Sequence, residues 1–283
     1  MSTTVAASTR LPTFIIIGAQ KGGTTSLFRY LATHPEICCS SMKETDFFVT
    51  EYERGLEWYS SCFERDAPAI GEASPNYATA FRLPAADVAR RIHSVVPNVK
   101  LIYVMRDPVE RMVSHYWHSV EMDGETRDLA TALTAPFEVN GYVRPSCYFE
   151  QLQGYRQYFS ERQFLLLSSY DLLTRTREVM RQVFEFLEVN PSFRSGRFDQ
   201  SYHRTADKET FQPTIWEKLY RSWRDNIQTP YLRRWTPRAW RKTRSPHLLS
   251  LDRRTKTRLI DWLAPDVRKL RETTGMRFAD WCL

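Results

Sequence analysis

The sequence predicts a three-layer α/β/α fold around a central parallel sheet. Short apolar runs alternate with segments of helical period, and the runs themselves lack polar alternation, as expected of strands buried on both faces. A chain of 283 residues, 42% hydrophobic and 13% aromatic, is long enough to bury such a sheet. The strand candidates are Thr13 to Gly18, Ala69 to Gly71, Lys100 to Met105 and Gln163 to Ser168. The helix candidates are Thr24 to Thr33, Pro84 to Val95, Pro108 to Glu121, Tyr148 to Tyr158 and Arg177 to Leu187, with a last helical stretch from Asp252 to Thr273. Two carry start signals: Asp107 can cap a helix whose first residue is Pro108, and Pro84 can occupy the first position of another. Residues 1–283 read as one domain, with residues 1–11 an unstructured N-terminal segment and residues 191–246 a lid or acceptor-side segment wrapping the body.

No run approaches the roughly 20 apolar residues of a membrane span, and the residues before Phe14 lack the apolar core of a signal peptide. The five cysteines, Cys38, Cys39, Cys62, Cys147 and Cys282, form no CxxC pair and have no histidine at metal-ligand spacing. They read as thiols in a reducing, cytoplasmic compartment. The formal charge of +7 is local. Between Arg221 and Arg244, eight basic residues (Arg221, Arg224, Arg233, Arg234, Arg238, Arg241, Lys242, Arg244) face one acid, Asp225, a surplus of seven that equals the whole excess. The rest is balanced, which argues against nucleic acid as a partner.

The strongest local signal is the apolar run Phe14 to Ile17 entering a glycine-rich turn, Gly18 to Gly23, and then Thr24, Thr25 and Ser26 at a helix start. Such a turn aims backbone N–H groups and a helix dipole at one anion. The usual nucleoside-triphosphate loop needs a lysine directly after its last glycine, reaching the β- and γ-phosphates. Gly18 and Gly23 keep the glycine spacing, but Thr24 stands where that lysine belongs, and the loop's lysine is Lys21. The pattern is P-loop-like yet suits a 5′-phosphosulfate with no metal requirement. Lys21 can then neutralise charge developing on the bridging oxygen, while Lys21, Gly22, Gly23, Thr24, Thr25 and Ser26 cradle the anion.

A second strand-turn-helix follows, Leu101 to Met105, Arg106, Asp107, Pro108, with Ser114 two turns into the helix. Arg106 and Ser114 can converge on a second phosphate at the sheet edge where open α/β folds bind ligands. Arg111, His115 and His118 are accessory candidates. Taken singly, Arg106 can equally pair with Asp107 or Glu110, and Ser114 can bond its own helix.

On these elements the chain resembles the PAPS-dependent sulfotransferases, which use 3′-phosphoadenosine 5′-phosphosulfate (PAPS). It is most similar to the branch of heparan sulfate N- and 3-O-sulfotransferases and their bacterial relatives, through Lys43 to Phe48, Gly71 to Tyr77, Leu263 to Leu270 and Phe278 to Trp281. The resemblance implies PAPS as donor cosubstrate, Arg106 and Ser114 on its 3′-phosphate, and Glu44 as the base that takes the acceptor's proton. It also suggests, on a poor local match, that Arg204 and Lys208 close over the donor. Glu44 precedes an apolar Phe47, Phe48 anchor, and an acceptor hydroxyl needs such a base near neutral pH. Glu72 is the second candidate base.

Where the heparan 3-O enzymes carry Arg, His and Lys, this chain has Thr25, Asp46 and Ala73. Three potential cations are gone, so the expected acceptor is the hydroxyl (or, second, an amine) of a neutral sugar, glycolipid or small metabolite. Tyr220, Trp223, Tyr231, Trp235 and Trp240 interleave with the arginines of 221–244, a composition compatible with peripheral membrane contact, although Pro230 and Pro237 interrupt any long helix. Two other readings predict different behaviour. A P-loop kinase or NTPase requires Mg²⁺ and ATP; a non-catalytic anion- or membrane-binding protein depends on 221–244 and ignores Glu44.

Overall fold

The computed structural model describes residues 10–79, 83–199 and 251–283. Five parallel strands form the sheet: β1 (Phe14–Gly18), β2 (Ile37–Cys39), β3 (Ala69–Ala73), β4 (Lys100–Met105) and β5 (Phe164–Ser168), in the order β2-β3-β1-β4-β5. Four of the five match expected strands. The exception is β2, whose three residues pair with Ala69 to Gly71 at the sheet's edge and are too short a run to stand out.

The layers follow from the period of two along each strand. Ile15, Ile17, Leu101, Tyr103 and Met105 face one core, and Phe14, Ile16, Ile102, Val104, Leu165 and Leu167 face the other. The first face is covered by α3 (Ala85–Val95), α6 (Tyr148–Arg156) and the second half of the last helix. The second face is covered by α1 (Thr24–Leu31), α7 (Ser169–Thr174) and α8 (Thr176–Leu187). Each large apolar side chain so buried contributes on the order of 1.5–3 kcal/mol. A third cluster joins α4 (Pro108–Met122), α5 (Leu129–Leu133) and residues 142–147 to Leu259 and Leu263 of the last helix, α9 (Arg253–Thr274). A short α2 (Gly55–Ser61) completes the body.

Asp107 caps α4 as expected, accepting from the Glu110 N–H at 2.9 Å. Its other carboxylate oxygen accepts from the Cys282 N–H at 2.5 Å, tying residue 282 to the same turn. Pro84 stands at the cap position of α3, with φ −54° and ψ 145°, one place before the first helical position expected for it. Helix α9 runs through Pro265 without ending, and Asp266 reaches across to accept from the Phe149 and Glu150 N–H groups at 2.9 and 3.0 Å, capping α6 from outside. The unstructured stretch expected over 1–11 is corrected at its end: Arg10 pairs with Asp66 at 3.1 Å, its N–H donates to Ser60 Oγ at 2.8 Å, and Leu11 packs on the core. No described helix is long and apolar enough to cross a membrane.

Helices after β1 and β3 pack on opposite faces, so the chain parts at the carboxyl ends of these adjacent strands. That divergence opens a crevice, the usual ligand position in open parallel sheets.

Candidate active site

The glycine loop closes over the end of β4. The Ala19 N–H donates to the Val104 carbonyl at 2.7 Å, and the Gly22 N–H donates to Ala19 O at 2.8 Å. A Cβ on Gly22 would lie 2.5 Å from the Val104 oxygen, so only glycine fits. Gly23 caps α1 at φ 107° without a side-chain cap, and no acid occupies the helix's first turn. The exposed dipole end and its N–H groups therefore face no protein carboxylate from that turn, an arrangement that accommodates an anion. Lys21 is held at φ 66°, a left-handed conformation costing a non-glycine residue on the order of 1–2 kcal/mol. Strain of this kind collects at ligand sites. Thr24 is buried, and Thr25 and Ser26 are half-buried on the first turn.

Arg106 directly follows β4, two residues beyond the carbonyl that holds Ala19. The loop and the arginine thus stand at the carboxyl ends of neighbouring parallel strands. The guanidinium is 28% exposed and makes a forked contact with Glu110, Nε and Nη2 reaching Oε2 at 3.1 and 2.7 Å. The Glu110 pairing weighed from sequence is therefore present in the unliganded protein. Ser114 is buried on α4, two turns beyond.

Glu44 stands beyond the end of β3, on the other side of β1. Its backbone is fixed from both sides: Lys43 O accepts from the Ala73 N–H at 3.2 Å, and Thr45 Oγ1 donates to Glu72 Oε2 at 2.7 Å. Phe47 and Phe48 are buried, with Phe47 stacked on Tyr59 at 4.2 Å between ring centroids. The Glu44 side chain is 47% exposed and pairs with Lys43. Asp46 is bound into the same loop; its N–H donates to Ser74 Oγ at 3.0 Å and its carboxylate accepts from Asn76 at 2.8 Å.

Glu72, the second candidate base, is 0% exposed and accepts from four hydroxyls: Tyr59 and Tyr77 at 2.8 Å, Thr45 at 2.7 Å and Ser74 at 2.5 Å. Burial pushes its carboxyl up, against the pull of those donors. Enclosed in this way, it acts as the peg that secures the Glu44 loop.

Among the accessory candidates, Arg111 is fully buried, and its guanidinium bonds to Ser146 Oγ, Tyr142 O and Gln20 O. His115 lies against the Tyr142 ring, and its Nδ1 is buried without a hydrogen-bond partner among the described residues. Burial, then the Arg111 charge, pushes its pKa down to about 2. The unfolded chain takes up this proton near pH 6.5, the folded chain only near pH 2, so the unfolded state binds more protons in between. Stability attributable to His115 is therefore lost as pH falls below about 6.5. Imidazole NMR resonances are expected to show His115 neutral at pH 5; titration near pH 6 would contradict this packing. Arg204, Lys208 and the 220–244 stretch lie outside the described residues.

Residues 123–147 carry no recognisable motif. There the structure forms one wall of a cleft of about 650 Å³, with Asn140, Gly141 and Arg144 facing Thr79, Ala85 and Gln151. None of Lys21, Glu44, Arg106 and Ser114 lines it, but chain neighbours of its walls reach the glycine loop: Ala78 approaches Gly18, and Tyr142 shares Arg111 with Gln20. Among the described residues the charged side chains that line it are Glu138, Glu150 and Arg144, the last two paired at 2.6 Å.

Comparisons with known proteins bear on this arrangement. A 116-residue stretch is 41% identical to the membrane-associated sulfotransferase kil1 of Dictyostelium discoideum, covering 39% of this chain and 24% of that protein. Over 188 residues the chain is 32% identical to human heparan sulfate glucosamine 3-O-sulfotransferase 6, covering 63% of this chain and 52% of the relative. A mouse bifunctional heparan sulfate N-deacetylase/N-sulfotransferase 3 is 30% identical over 205 residues, 65% of this chain and 23% of the relative. The chain thus spans from about a quarter to about half the length of these curated relatives. The fold is that of a solved sulfotransferase from Alicyclobacillus acidocaldarius, with a TM-score of 0.70, 22% identity and coverage of 96% and 99% of the two chains. The sulfotransferase domain family's own sequence profile matches residues 11–261, from the strand before the glycine loop into the last helix, and this chain belongs to that family.

Proposed function

We propose that residues 1–283 form one sulfotransferase domain that transfers a sulfuryl group by in-line displacement from PAPS to an acceptor hydroxyl, releasing 3′-phosphoadenosine 5′-phosphate. The observation that carries the reading is the Ala19–Val104 hydrogen bond, which seats the glycine loop beside Arg106 at adjacent strand ends. Two anion cradles so placed suit the two ends of one bisphosphorylated adenosine, and the uncapped α1 terminus and the close approach at Gly22 fit such a ligand.

The donor supplies an activated sulfuryl group on a phosphosulfate. Gly22, Gly23, Thr24, Thr25 and Ser26 hold its 5′ end through N–H and hydroxyl groups, and Lys21 offsets charge on the bridging oxygen. Arg106 and Ser114 hold the 3′-phosphate, with Arg106 exchanging Glu110 for it. Glu44 accepts the acceptor's proton. Arg204 and Lys208 remain proposed closing residues.

The acceptor we propose is a neutral carbohydrate, glycolipid or small metabolite. Among the described residues the cleft's lining is rich in amides, with two carboxylates beside one guanidinium, a balance that suits hydroxyls and disfavours a polyanion. Thr25, Asp46 and Ala73 support the same conclusion. One relative's name includes membrane association, which is compatible with peripheral contact through 221–244.

Calorimetry without metal tests the donor. The protein is expected to bind 3′-phosphoadenosine 5′-phosphate in preference to ATP with Mg²⁺, and Arg106→Ala to weaken that binding about ten- to a hundredfold, the usual cost of a lost bond to a charged group. Preference for Mg²⁺ and ATP would overturn the assignment in favour of a kinase or NTPase.

A further inference from the structure

Arg111 is the largest of the fully buried side chains among the described residues. A buried guanidinium is normally matched by a carboxylate, because desolvating an unpaired charge is costly. No described ion pair includes Arg111. Its partners are neutral oxygens from two separate segments: Ser146 Oγ at 2.6 Å from Nε, Tyr142 O from Nη2, and Gln20 O at 3.4 Å from Nη1. The Ser146 hydroxyl in turn donates to Pro108 O at 3.2 Å, completing the chain of donors.

The position of this charge is informative. Arg111 stands on α4 between Arg106 and Ser114, and the fields of Arg106 and Arg111 oppose one another. The charges of Arg111 and Lys21 both lower the His115 pKa. Three cations therefore stand near where an anionic donor is proposed to sit, and the most deeply buried of them pairs with no acid among the described residues.

The bond to Gln20 has a geometric consequence. Gln20 and Lys21 share one planar peptide unit, in which C=O and N–H point in opposite directions. Drawing the Gln20 carbonyl toward Arg111 turns the Lys21 N–H the other way. The same guanidinium grips Tyr142 O and Ser146, in the segment that walls the cleft.

We infer that Arg111 is a positioning residue that locks the glycine loop to the 140–146 cleft wall, and so sets the donor's phosphosulfate against the acceptor, with its own charge balanced by the bound donor. The inference rests on the donor reading given above, but its mechanical half can be tested without any ligand. In Arg111→Lys the charge is kept while the three-way fork is lost.

Hydrogen exchange on the unliganded protein is the first measurement. Peptides covering residues 18–24 and 140–147 are expected to lose protection together in Arg111→Lys, while β4 and β5 keep theirs. Steady-state kinetics is the second: kcat is expected to fall about a hundredfold, as for a misplacement of reacting groups by about 1 Å, with a smaller change in donor KM. Ser146→Ala removes one prong only and serves if Arg111→Lys does not fold; it should loosen both segments in the same direction to a lesser degree. Loss of protection confined to 140–147, or a lowered Tm with kcat per folded molecule unchanged, would overturn the inference. If the wild type fails to bind 3′-phosphoadenosine 5′-phosphate while both segments still loosen, the donor reading falls and the mechanical link stands.

Discussion

Glu44→Gln is expected to leave donor binding within about twofold of wild type and to lower turnover by about 10²–10⁴, the range attributed to a positioned general base. The amide is nearly the same size as the carboxylate and cannot take a proton. The loop that carries it does not depend on that charge: Thr45, bonded to Glu72, and Phe47, stacked on Tyr59, hold the backbone. Loss of the Lys43 contact removes a partly exposed ion pair, typically worth less than about 1 kcal/mol. The measurements are single-turnover sulfation for the rate and calorimetry with 3′-phosphoadenosine 5′-phosphate for binding. A near-normal rate would remove Glu44 from the mechanism, and persistence of function here with loss on deletion of 221–244 would point to a binding protein.

Lys21→Ala is the second large effect, expected to reduce kcat by about 10²–10³, comparable with loss of one preorganised group at a site of developing charge. Both residues must adopt φ 66° in the loop, so the backbone penalty is similar in the two proteins and the comparison isolates the ammonium group. The role assigned to Lys21 is on the leaving oxygen, where charge grows as the bond breaks. Donor affinity should therefore suffer less than kcat. Lys21→Arg retains positive charge but carries it on a broader, planar group, and recovery is expected to be partial. A loss of donor affinity with kcat unchanged would show that Lys21 serves ground-state binding instead.

Much of the architecture was legible because buried parallel strands impose apolar runs. Phe14 to Ile17, Leu101 to Met105 and Phe164 to Leu167 each had one, and each became a strand. Ile37 to Cys39 did not, since an edge strand of three residues needs only its partner's backbone. The Asp107 cap was readable from its own side chain and the following proline. Its second bond, to the amide of Cys282, joins residues 175 positions apart and leaves no local trace.

The candidate site divides in the same manner. The glycine loop and Arg106 stand out because holding an anion, the role proposed for them, restricts which residue types can serve. The tie from Arg111 to Gln20 and Tyr142 uses backbone carbonyls, which every residue possesses, so composition around 140–146 gave no indication of it. Glu72 was visible as an acid after a buried strand, yet its setting of two phenols and two hydroxyls brings together Thr45, Tyr59 on α2, and Ser74 and Tyr77 beyond the strand's end, a convergence without a local sequence pattern.

The forked contact between Arg106 and Glu110 also affects how the protein meets common anions. A bare guanidinium at a strand end would be occupied by whatever inorganic phosphate or sulfate the surroundings supply. Here a small ion must outcompete an acid tethered four residues away, whereas a ligand anchored at a second point by the glycine loop has the avidity to displace it. On the proposed donor reading, the pair biases the site by less than about 1 kcal/mol towards ligands anchored at two points over small ions held at one.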